Sequence, residues 1–126
     1  MTAATIPGDV RRFLLATIPT VPHLEALLLL LRGRGDAWTL PQLCSRLYVD
    51  AGTATALLED LAAAGLVATG DDSVRYAPVD AEVAATVDAL AALYARQTVA
   101  IAELIHSSSD RKAQRFADAF RLRKEP

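Results

Sequence analysis

The chain has 126 residues, 52% of them hydrophobic but only 6% aromatic, and a formal charge of −2. That length suits one domain, that apolar content builds an ordinary core, and the dominance of Ala and Leu favours helix over sheet. Cys44 is the lone cysteine, which excludes an internal disulfide, and no apolar run approaches the roughly 20 residues of a membrane span.

The segment "PGDVRRFLLATIP" predicts a short helix over 9–18, with Asp9 at its start and Pro19 stopping it. "PHLEALLLLLRGRGD" predicts a second helix from Pro22 to about Arg32, ended by Gly33 and Gly35. Its run of leucines leaves little polar face, so it belongs at the centre of the core. Ala37 to Thr39 can form a very short strand. Thr39 then sits three residues before Gln42, the spacing of a capping box, and Leu40, Leu43, Cys44 and Leu47 form one apolar stripe. "YVD" is a turn, Asp50 an N-cap, and Ala51, Ala54, Leu57, Leu58, Leu61 and Ala62 the inner face of the next helix. Gly65 is its stop. Two β-prone runs, Leu66–Thr69 and Ser73–Ala77, flank "GDD" and read as a hairpin.

From Asp80 to His106 a single helical pattern continues. Val83, Val87, Leu90, Tyr94, Gln97, Ile101 and Leu104 alternate in steps of four and three, a heptad stripe. Such a stripe either packs on its own domain or pairs with a second copy, and the polar Gln97 within it would set register. "SSSD" is expected to break the helix, with Ser109 or Asp110 capping a last one over 110–122 on which Ala113, Phe116 and Phe120 share a side. Residues 1–110 carry seven Lys or Arg against thirteen Asp or Glu, a balance of −6, whereas residues 111–126 balance at +4. A basic end on an acidic body can be a nucleic-acid arm, or a solvated helix end whose cations suit the helix dipole.

Helix, short strand, helix, tight turn, helix, hairpin is the element order carried by "WTLPQLCSRLYVDAGTATALLEDLAAAGLVAT" and "VRYAP", Trp38 to Pro78. This segment resembles the winged helix-turn-helix domains of bacterial transcriptional regulators of the MarR and PadR kind. The fold class it implies is mainly α with a small β-hairpin wing, followed by a long C-terminal helix. Residues 1–78 would form the winged domain and 79–126 a C-terminal helical region. The resemblance further implies a helix in the major groove of double-stranded DNA, a wing on the backbone or minor groove, and a homodimer through helix 80–106.

Catalysis has little footing. His23 and His106 lie in different helices, Glu103 with His106 is one pair and no metal motif, and no phosphate loop or nucleophile elbow occurs. "GRGD" at 33–36 is a helix stop, and Cys44 on an apolar stripe reads as a core thiol rather than a redox sensor. No enzyme activity, metal or cofactor is expected. "MTAATIPGDVRR" lacks the basic-then-apolar order of a secretory signal, so a cytoplasmic setting is expected, with no membrane partner. Contact with DNA needs cations or hydroxyl donors near phosphates. Arg32, Arg34, Arg46, Tyr48 and Arg75 could ring the presumed reading helix while Thr53 and Thr55 face bases. Against this, no Lys or Arg lies between Arg46 and Arg75, and the same interval holds Asp50, Glu59, Asp60, Asp71 and Asp72. An acidic winged helix can instead be an adaptor that binds a protein partner, which is the alternative expectation.

Overall fold

The computed structural model describes residues 6–124, with side chains through residue 119. Phe120 and the tail cations Arg121, Arg123 and Lys124 therefore have side chains outside the described residues. The elements run α1 (Gly8–Thr17), α2 (Val21–Arg32), α3 (Leu40–Leu47), α4 (Ala51–Ala63), β1 (Val67–Thr69), β2 (Val74–Tyr76), α5 (Ala81–Arg96) and α6 (Thr98–Lys124).

Local chemistry sets most of these boundaries. Asp9 lies in the first turn of α1, but Pro7 occupies the cap position and no side chain caps the helix. At α2 the Thr20 hydroxyl accepts from the His23 amide, with Pro22 in the first turn, where a missing N–H costs nothing. The capping box at α3 is complete: Gln42 N–H donates to Thr39 Oγ1, and Gln42 Oε1 accepts from the Thr39 amide at 2.9 Å. Asp50 caps α4 by accepting the Thr53 amide at 2.7 Å. Gly65, at φ +77°, ends α4 in a left-handed turn that lets the Leu66 N–H reach back to the Leu61 carbonyl at 3.0 Å.

The hairpin pairs β1 with β2 antiparallel, Val67 with Tyr76 and Thr69 with Val74. Trp38 adds a third, one-residue strand through two backbone bonds of 2.8 Å with Val74. Three helices capped by this hairpin make a winged helix-turn-helix. α2 is its centre: seven of its twelve residues are buried, and it packs on α3, α4, β2 and α6. Each buried leucine is worth about 1.5–3 kcal/mol over an exposed one.

The C-terminal region does not stand apart from the winged unit. α5 packs on α1, α6 packs on α1, α2 and α5, and one hydrophobic cluster runs from Val10 and Leu14 through α2 and the hairpin to Ile105. The heptad stripe is used inside this cluster. Val87, Leu90, Tyr94, Ile101 and Leu104 are buried within the single chain, and Val83 and Gln97 are half-buried. Tyr94 also donates its hydroxyl to Glu25 Oε1 at 2.9 Å, tying α5 to α2. Burial, and then that bond to Glu25, raise the Tyr94 pKa.

Two boundaries differ from the periodic reading. The expected helix 80–106 breaks at Gln97, whose backbone leaves the helical region at φ −131° and ψ 49°. Thr98 Oγ1 takes up the Tyr94 carbonyl at 2.6 Å, so a hydroxyl replaces the helix bond at the break. The heptad pattern continues across this point because both helices still turn apolar residues to one core. Conversely, "SSSD" does not break the chain: Ser107–Asp110 lie within α6, and no cap at Ser109 or Asp110 opens a separate helix over 110–122. Serines on the open side of a 27-residue helix cost only a few tenths of a kcal/mol each.

Candidate nucleic-acid interface

α4 is the helix in the reading position. Ala54, Leu57, Leu58 and Leu61 face the core, leaving Gly52, Ala56, Glu59 and Ala63 as its outward ridge. Ala51 is exposed and Ala62 half-buried, so the inner face is narrower than the pattern of small residues implied. Apart from Glu59 the ridge carries nothing longer than a methyl group, which lets another surface approach the helix backbone closely around Gly52 and Ala56.

Thr53 and Thr55 are both exposed but lie about 200° apart around the helix, since each residue turns it by about 100°. They occupy opposite flanks. Thr55 lines the side toward the wing, whereas Thr53 shares its flank with Asp60, on the side facing α2. Asp60 is engaged there: its Oδ2 lies 2.7 Å from His23 Nε2, and His23 Nδ1 lies 2.6 Å from Thr20 Oγ1. His23 is only 7% exposed, so this bond ties the core helix α2 to α4 and draws one carboxylate away from the ridge. Asp50, capping α4, is held below the ordinary aspartate range by the bond from the Thr53 backbone and then by the Thr53 side chain.

The expected basic ring is scattered. Arg46, in the last turn of α3, lies 5.5 Å over the Trp38 ring. Arg75 is exposed on the outer face of β2, opposite Ala68. Arg34 donates to Asp88 of α5 at 3.3 Å, which turns it toward α5 rather than α4, and Arg32 lies exposed at the end of α2. Tyr48 is 94% exposed at φ 58°, a left-handed position that only a tight turn imposes on a side-chain-bearing residue. It forms the corner between α3 and α4.

Between α3, α4 and the wing lies an open groove of about 670 Å³. Trp38, Leu40, Pro41, Leu58 and Val74 supply apolar lining, and Glu59, Asp71 and Asp72 supply carboxylates, with no Lys or Arg among the lining residues. The Trp38 indole packs against Gly33, where an added Cβ would fall 2.9 Å from the ring nitrogen. That nitrogen is buried with no hydrogen-bond partner. The place of Trp38 as groove floor and arginine platform, and the tie from His23 to Asp60, were absent from the sequence-based reading. The single Trp beside a capping threonine was the available signal for the first. The second joins residues 37 apart and had none.

The distal part of α6 lies beside α1 with its side chains open to solvent. From Arg111 to Ala119 every residue is exposed, and Phe116 is 73% exposed. Arg111, Lys112 and Arg115 gather beside Arg11 and Ser108, with Lys112 Nζ donating to the Leu15 carbonyl at 3.1 Å. Among the described residues none of these cations forms an ion pair, and no group of three or more His, Cys, Asp or Glu could hold a metal. Among the described residues no single helix is long and apolar enough to cross a membrane.

No known family model matches the sequence, and no curated protein matches it. Among solved structures the chain is similar to a MarR family protein from Bacillus stearothermophilus, at 22% identity and a TM-score of 0.49, over 90% of this chain and 78% of that one.

Proposed function

We propose that this chain is a cytoplasmic, bacterial winged-helix regulator that binds double-stranded DNA as a homodimer. The observation that carries the reading is the α4 ridge: Gly52 and Ala56 bare the helix backbone, Thr53 stands on one flank, and a wing bearing exposed Arg75 stands beside them. The start of this helix, bare of long side chains at Gly52 and Ala56, can sit deep in a major groove, where backbone and hydroxyl groups meet phosphates and base edges. Arg46, in the last turn of α3, and Arg75, exposed on β2, are the cations proposed to meet phosphates. Arg34 is assigned to the α5 side and contributes less. The single cysteine suits a reducing compartment.

The acidic groove favours a second reading, an adaptor that binds a basic protein segment and never meets DNA. A duplex titration at low and moderate salt separates the two. A DNA binder loses affinity steeply with salt. Arg46→Ala with Arg75→Ala reduces the log–log slope by about 2, roughly one unit for each phosphate that an arginine no longer neutralises. No retention of duplex at the lowest salt rules out the DNA reading. An unchanged slope in the double variant moves the binding face elsewhere.

A further inference from the structure

We propose that the groove between α3, α4 and the wing receives the basic distal half of α6 from a second copy of the chain. The two surfaces are complementary in charge, and each combines charged with apolar groups. The groove presents Glu59, Asp71 and Asp72 over an apolar floor that includes Trp38, Leu58 and Val74. The distal half of α6 presents Arg111, Lys112 and Arg115 next to the exposed Phe116. Neither set is neutralised within its own chain among the described residues. A volume of about 670 Å³ is ample for an aromatic ring with a flanking cation.

The docking is between copies because the arm cannot turn back. α6 is one continuous helix from Thr98 to Lys124, about 40 Å long at about 1.5 Å per residue, packed on α1, α2 and α5, and Lys112 of its distal half also donates to the Leu15 carbonyl of α1. Reaching its own groove would require breaking that helix. Exchange between two copies needs no such change and, made twice around a two-fold axis, doubles the interface. Single exposed ion pairs are weak, so the association depends on several acting together with the seated Phe116, and it weakens as salt rises.

The docked arm covers Glu59 on the α4 ridge together with the wing carboxylates Asp71 and Asp72, and brings cations in their place. That consequence rests on the DNA reading above; the association itself does not. It is therefore tested without nucleic acid, by sedimentation velocity of the full chain over a concentration series at low salt. The native chain self-associates. Reversing the groove (Glu59→Lys, Asp71→Lys, Asp72→Lys) or the arm (Arg111→Glu, Lys112→Glu, Arg115→Glu) weakens association at least tenfold, while circular dichroism retains the helical signal. Mixing the two reversed chains restores a complex of one of each. Should a reversed chain lose its helical signal, the neutral sets Glu59→Gln, Asp71→Asn, Asp72→Asn and Arg111→Gln, Arg115→Gln give the same weakening. A native chain that stays monomeric throughout overturns the proposal and leaves the groove to a different basic partner. So does association that survives either folded reversal, or a mixture that stays monomeric.

Discussion

The two ends of the molecule use charge in opposite ways. The α4–wing end is acidic at its surface, with Glu59, Asp71 and Asp72 around an apolar groove, yet it holds the helix that a winged helix presents to its target. The distal half of α6 is basic and exposed on every residue from Arg111 to Ala119. The contrast teaches that position in the fold and affinity for a polyanion have separate origins. α4 is set in place by leucines, the Asp50 cap and the His23–Asp60 bond, none of which supplies positive charge to its outward ridge. In the proposed reading, packing puts α4 in place, while phosphate affinity would come from Arg46 and Arg75 or from another copy.

The sharpest way to break the comparison is to ask whether the two ends belong to one cooperative unit. Leu90 is fully buried in the cluster that joins them. Leu90→Ala is expected to cost about 2–5 kcal/mol in chemical denaturation while retaining a single transition for both ends. Two separate transitions would mean the ends fold independently. The same residue stands in the expected dimer stripe, so unchanged stability with a halved mass would place that stripe between copies.

How much of this was legible in the sequence depends on distance along the chain. The capping box of Thr39 and Gln42, the Asp50 cap and the Gly65 stop are local, and each was readable from spacing alone. The hairpin was readable from its turn. The break at Gln97 was not, because the apolar period runs on through it while Thr98 diverts the Tyr94 carbonyl. The opposite flanks of Thr53 and Thr55 follow from helix period, but which flank meets the wing depends on packing. The Arg34–Asp88 bond, between residues 54 apart, could not be seen, and it draws one expected DNA-binding arginine toward α5.

Gly33→Ala sharpens the acidic end. Its Cβ would press on the Trp38 indole, so the groove floor and the Arg46 platform must shift, at about 1–3 kcal/mol. Tryptophan fluorescence should change together with stability, and an unperturbed spectrum would remove Trp38 from the packing described. Asp60→Ala leaves the His23 ring without its α4 partner and is expected to cost about 1–3 kcal/mol by thermal denaturation. A neutral result would mean that His23 does not help hold α4.

The smallest effect is acidic. The Asp50 pKa is lowered by the Thr53 bond, so its capping contribution is fully present above the ordinary value of 3.8 and is lost as pH falls through the lower folded value. Acid titration of native and Asp50→Asn chains should converge in stability at the bottom of that window. A difference that stays constant with pH would assign the cap no ionic part.

The contrast between the two ends is tested most directly by following backbone amide shifts as a short duplex is added at low salt. The largest changes are predicted on Gly52, Thr53, Ala56 and Arg75, the α4 ridge and wing. Changes confined to Arg11 and residues 111–119, with α4 silent, would contradict this and make the basic end of α6 the surface that meets DNA.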